Sequence, residues 1–172
     1  LMVSVLAISG MASAQFTDID VIQQYDAARA PASPEDGNVV TVAGNIFVIK
    51  GTYNNGTHYI ADATGGITFF DPDVTLNLGD YVEITGTVGQ YSGEIQLTGT
   101  TYAGQAPGSV PAPVVLSVED CLTTAENVGS FVEVVGTIVD YSGGSLFNLA
   151  GPDSTIACLI DSGEAPESTV TV

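Results

Sequence analysis

Basic side chains are almost missing from this chain. Arg29 and Lys50 stand against 20 acidic residues among 172, a formal charge of -18. Nucleic-acid affinity rests mainly on lysine and arginine displacing the counterions of phosphate. This balance therefore repels polyanions and disfavours DNA or RNA as a partner. Histidine is scarce too: His58 is the single one. No cluster of His, Cys and Asp has metal-ligand spacing, no G-x-S-x-G elbow occurs, and no glycine-rich phosphate loop leads into a helix. Carboxylate pairs exist, but an acidic chain holds such pairs by chance, so they are no argument for glycoside hydrolysis. The inventory argues against an enzyme, and no cofactor is expected.

A hydrophobic content of 45% is enough for a packed core despite the charge. The first residues, "LMVSVLAISGMASAQF", carry no charge before Asp18 and pass through Ala12-Ser13-Ala14. That is the apolar core and A-x-A cleavage pattern of a secretory signal over residues 1–14, with cleavage expected after Ala14. Its basic beginning is missing and Leu1 stands where Met is usual, so the native start is expected upstream. The run is short for a bilayer span, which needs about 20 apolar residues, and no stable membrane span is expected. A retained anchor is the alternative, and either reading exports the chain, to the outside or the periplasm. In an exported protein, Cys121 and Cys158 are expected to form a disulfide, with buried free thiols as the alternative.

Beyond residue 15, "FTDIDVIQQYDAARAP" spaces Ile19, Ile22, Tyr25 and Ala28 for a short helix ended by Pro31 and Pro34. From Asn38 onward Val, Ile, Thr, Tyr and Phe dominate, broken by glycine- and asparagine-rich turns, the pattern of short strands. Turns are expected at Asn55-Gly56, Thr64-Gly65-Gly66 and Ser92-Gly93. Three stretches share one pattern: Gly37 to Gly44 ("GNVVTVAG"), Gly79 to Gly86 ("GDYVEITG") and Gly129 to Gly136 ("GSFVEVVG"). By position the first and third open a repeated unit, whereas the second is the fourth strand of the first unit. Ile67 to Asp71 correspondingly matches Ile156 to Asp161. A glycine inside a long strand lets it bend around a small barrel. The expected fold is all-β: tandem five-stranded OB-fold (Greek-key) barrels, each with a short helical lead-in, the second incomplete.

The series "HYIADATGGITFFDP" followed by "LNLGDYVEITGTVGQYSGEIQLTG" resembles the secreted OB-fold domains that accompany bacterial extracellular nucleases and phosphoesterases. The resemblance covers residues 16–102 well and 116–162 in part. The second unit lacks the Thr-Gly-Gly-Ile turn. The expected organisation is a signal over 1–14, a first barrel over 15–103, a proline-rich linker over 104–115 and a second barrel over 116–172, its last strands lying beyond Val172.

OB barrels bind ligands on the face of strands two and three, between the flanking loops. That face offers Tyr53, His58, Tyr59, Phe69 and Phe70, with Tyr91 from the loop after strand four. Aromatic side chains there can stack on bases or sugar rings, although alternation sends about half of them into the barrel. Asp62, Asp71 and Asp73 are weak calcium candidates, since no D-x-[DN]-x-[DN]-G loop contains them. The expected function is an exported, non-catalytic binding or accessory module within a larger extracellular protein, with an extracellular protein or polymer as partner. A single-stranded nucleic-acid binder and a subunit of an extracellular filament or surface layer are the alternatives.

Overall fold

Alternation of apolar residues builds the strands. In the computed structural model, which describes residues 15–123, 127–141 and 146–159, strand β1 (Val39–Val48) buries Val40, Val42, Gly44 and Ile46 and half-exposes the residues between them. Strands β2 (Thr57–Ala61) and β3 (Gly66–Phe70) follow. β4 (Tyr81–Tyr91) repeats the alternation with Val82, Ile84, Gly86 and Val88 turned inward, and β5 (Glu94–Ala106) returns along it. The five close into a barrel in the order β1-β2-β3-β5-β4, with β4 paired back to β1. All neighbours are antiparallel except β3 and β5, which run parallel and share two partner pairs, so closure is thin there. The expected all-β class is the observed one.

β1 and β4 each carry a glycine at an inward position, Gly44 and Gly86. A Cβ on Gly44 would lie 2.2 Å from the Ala61 carbonyl oxygen, and one on Gly86 would lie 3.1 Å from Leu97 Cβ. β2 therefore approaches β1 more closely than any side chain allows, which is how the strand bends. The β4–β5 turn places Ser92 at φ 52° and Gly93 at φ 87°, the left-handed pair of a tight two-residue hairpin.

Helix α1 (Ile19–Ile22) is shorter than its spacing suggests. Four residues cannot sustain a helix in isolation. Ile19 and Ile22 are fully buried in the barrel core, each such burial contributing about 1.5–3 kcal/mol. Tyr25 lies beyond the helix, in an isolated bridge to Pro31. The Asp62 carboxylate accepts the Ile19 N–H (2.9 Å), and Thr64 Oγ1 accepts the Asp20 N–H (3.1 Å). The Thr-Gly-Gly turn thus seats the lead-in segment.

The second unit contains β6 (Val114–Leu116), α2 (Val118–Thr123), β7 (Val132–Val134), β8 (Thr137–Val139), β9 (Leu146–Ala150) and β10 (Thr155–Leu159). Its register copies the first. Asn45 pairs with Ala61 just after Gly44, and Thr137 pairs with Ala150 just after Gly136. Ile60 pairs with Ile67 as Leu149 pairs with Ile156. Gly37 and Gly129 both have positive φ, 78° and 76°. A Cβ on Gly136 would again strike a carbonyl, Ala150 O at 2.7 Å. The bend that β1 absorbs within one strand separates β7 from β8 here. A second hydrophobic cluster forms around Val118, Val134, Phe147 and Leu149.

Several expectations need correction. β5 runs to Ala106 and β6 starts at Val114, so both enter the span expected to be linker, 104–115. The disulfide is not formed: Cys121 and Cys158 are both free, half-buried thiols packed against the second cluster. Burial, then Asp120, raises the Cys121 pKa, while burial, then Cys121, raises that of Cys158. Suppressed thiolate makes each a poor nucleophile for exchange. Residues 1–14, expected to be a secretory signal, and residues 160–172, expected to belong to the second barrel, lie outside the described residues. Among the described residues no helix is long and apolar enough to cross a membrane.

Gly44→Ala should destabilise the chain by about 1–3 kcal/mol through overpacking against Ala61, read as a lowered urea midpoint. Gly89→Ala, where nothing lies within 4 Å of the added Cβ, should stay within about 0.5 kcal/mol of the parent. Alkylation of the unfolded chain without reductant should label both cysteines; a bridged pair would take up none.

Candidate ligand-binding groove

Alternation and one bulge decide which aromatic side chains face outward. Between Ile46 and Val48 the β1–β2 register shifts: Ile46 pairs with Ile60, but Val48 pairs with Tyr59. Partners in an antiparallel pair share a face, so the extra residue turns Val48 from the barrel interior to the outside, beside Phe47 and Tyr59. Phe47 and Tyr59 lie 5.6 Å apart at 50°, and Tyr53 meets Tyr59 edge-on at 6.2 Å. Phe131, on the segment leading into β7, stacks on Phe47 at 5.6 Å and 26°. The four rings form a row that runs from the β1–β2 loop across to the second unit.

Two hollows flank this row. One, of about 540 Å³, lies between Phe47, Tyr53, Tyr59 and the 129–132 segment. The other, of about 260 Å³, is bounded by Tyr53 and Asn54 of the β1–β2 loop and by Tyr91 and Ser92 at the β4–β5 turn, with Thr68 and Gln96 on its floor. Tyr53, Tyr59 and Glu94 line both. Glu94 accepts a hydrogen bond from the Tyr59 hydroxyl at 3.2 Å. Burial pushes the Glu94 carboxyl up, partly offset by that bond. Burial, and then the Glu94 charge, pushes the Tyr59 phenol well above its usual value. No lysine or arginine lines either hollow; Lys50 turns its ammonium to the Pro72 carbonyl at 2.9 Å.

The sequence candidates divide. Tyr53, Tyr59 and Tyr91 come together here, Tyr53 and Tyr91 being 56% and 72% exposed. His58 and Phe69 do not: both are wholly buried, stacked face to face at 4.9 Å and 8° inside the barrel. They lie on the inward side of the β2–β3 pair, where the pleat sends every second residue. Phe70 is exposed but covers Gly56, whose Cβ would meet its ring at 2.6 Å. Phe47, Phe131 and Glu94 were not among the sequence candidates. The bulge and the approach of the second unit leave no local signal, though Glu94 follows directly on the Ser92-Gly93 turn.

Of the three acidic calcium candidates, Asp62 and Asp71 are turn acceptors, and Asp73 donates its N–H to Asp71. Asp62 Oδ1 accepts from the Thr64 N–H, the Thr64 hydroxyl and the Gly65 N–H. Asp71 accepts from the Asp73 and Val74 N–H groups and from the Tyr102 hydroxyl at 2.8 Å. Burial works to raise the Asp71 pKa, but these donors hold it below the usual value. Among the described residues no three His, Cys, Asp or Glu side chains converge as a metal site would require.

No protein-family profile matches the chain, and neither curated proteins nor solved structures supply a match.

His58 generates a pH dependence. Its Nδ1 accepts the Lys50 N–H at 3.3 Å and its Nε2 faces the Asp71 carbonyl at 3.2 Å, so the buried ring is neutral. Burial lowers its pKa, which the Asp71 carbonyl partly opposes. With the folded value below the unfolded one of about 6.5, the unfolded chain binds more protons between the two. Stability is therefore full above about pH 6.5 and falls as the pH drops through this window. Urea midpoints at a series of pH values should show that slope in the parent, and His58→Phe should remove it.

Proposed function

We propose that the chain is an exported, non-catalytic binding module of the OB type, related to the secreted domains its sequence resembles, with an extracellular polymer or protein as ligand. One observation carries this reading. The smaller hollow lies on the β2–β3 face between the β1–β2 loop and the β4–β5 turn, where OB barrels take their ligands. The strand order β1-β2-β3-β5-β4 and the glycine-bent β1 support the same assignment. The copied register of β8, β9 and β10 supports a second, related unit.

The binding role follows from the side chains. The exposed rings of Tyr53 and Tyr91 and the half-buried ring of Tyr59 offer stacking surface, while Thr68, Gln96 and Asn54 offer neutral hydrogen-bonding groups. The single histidine is spent on the core, which removes the commonest general acid–base from the surface. Nucleic acid is the less suitable ligand. Stacking residues are present, but a single-strand groove pairs them with cations along the backbone, and the lining of both hollows has none.

Tyrosine fluorescence tests the reading, since the chain has seven Tyr and no Trp. The chain is titrated with oligothymidylate, with cellohexaose and with a lysine–glycine peptide at low salt. At least one of the last two should bind saturably and lose that binding in Tyr59→Ala, while oligothymidylate leaves the signal unchanged. Saturable oligothymidylate binding that depends on Tyr59 would replace the proposal by a nucleic-acid module. Silence from all three probes would remove the binding role.

A further inference from the structure

We infer that the groove takes lysine or arginine side chains of a basic, extended partner segment, with Glu94 as counter-charge and the rings of Phe47, Tyr53 and Tyr59 as its walls. This rests on reading that face as a ligand site, and it names the chemistry of the ligand.

Three observations converge on a cation. The first is the position of Glu94. It is the one acidic residue in the lining of either hollow, it lines both, and it is only partly open to solvent. Its bond from the Tyr59 hydroxyl satisfies part of one carboxylate and leaves further acceptor capacity directed at the groove. A carboxylate withdrawn from water requires compensating charge or it takes up a proton. An incoming ammonium or guanidinium supplies that charge, whereas a neutral glycan offers hydroxyl donors and leaves it uncompensated.

The second observation is the wall. Aromatic faces carry negative quadrupole potential and attract cations, arginine also by planar stacking. Phe47 and Tyr59, 5.6 Å apart and tilted by 50°, with Tyr53 set nearly perpendicular to Tyr59, form a corner open to a side-chain head. The two hollows continue to either side of this corner, giving an extended backbone somewhere to run.

The third is the field. A chain of charge -18 attracts polycations and speeds their approach. No basic side chain of the lining competes for Glu94. Diffuse attraction alone would not be selective, so the experiment separates it from the site.

A fluorescent peptide of alternating lysine and glycine is titrated into the full chain by anisotropy, beside the same peptide with glutamine for lysine, and beside cellohexaose. The lysine peptide should bind saturably and weaken with salt. Glu94→Gln should weaken it about tenfold, and Glu94→Asp, which keeps the charge, should recover most of that loss. Asp36→Asn removes an exposed carboxylate outside the groove and should change affinity by less than about twofold. Equal losses in Glu94→Gln and Asp36→Asn would reduce the effect to diffuse attraction and overturn the inference. So would equal binding of the glutamine peptide. Cellohexaose binding that depends on Tyr59, with the lysine peptide silent, would overturn the cationic ligand and leave the groove a ligand site. Silence from every probe would remove both.

Discussion

The rest of the barrel depends on one close approach, that of the Ala61 carbonyl to the backbone of β1 at Gly44. Two strands of a small barrel must curve, and an inward side chain at the point of curvature would occupy the space the partner backbone needs. Glycine removes that atom. Once β1 bends there, its continuation is displaced relative to β2, and the register shift between Ile46 and Val48 takes up the displacement. That bulge turns Val48 outward beside Phe47 and Tyr59, so the constraint that closes the barrel also assembles the aromatic row on its surface. The second unit meets the same constraint with Gly136 against Ala150, and there the strand is interrupted rather than bent.

The acidic surplus has two kinds of residue in it. Asp62, Asp71 and Asp80 accept several backbone or side-chain donors each, and their carboxylates hold turns and strand connections in place. For Asp71 and Asp80 those donors keep the charged form favoured, Asp80 chiefly through the Asn77 N–H and the Gln105 amide. Glu94 differs. It accepts from the Tyr59 phenol, burial disfavours its charge, and it stands in a groove. Charge counted along the chain does not separate these cases; the number of donors around each carboxylate does.

The repeat and the hairpins were legible because they are local. Gly37 to Gly44 and Gly129 to Gly136 each spell one strand within eight residues, and their matching register follows from matching alternation. The Ser92-Gly93 turn needs positive φ at two positions in sequence, and the dipeptide announces it. The candidate face was legible in part. Tyr53, Tyr59 and Tyr91 come from one expected face, but His58 and Phe69 were assigned to it as well, although adjacent residues of a strand point to opposite sides. Helix α1 stops at Ile22 although the three-residue spacing continues, because Tyr25 packs on the core from an extended bridge to Pro31 and not from a further helical turn.

What the sequence alone determined is the all-β class, the repeated strand pattern, the bend positions and the repulsion of polyanions, since each is carried by composition or by spacing within a few residues. The tertiary structure decided which aromatic rings are core and which are surface, that Phe131 joins Phe47, that Glu94 lies beneath Tyr59, and that Cys121 and Cys158 remain thiols. Those outcomes depend on contacts between residues far apart in the chain and on one inserted residue in a register, and neither leaves a mark in local periodicity.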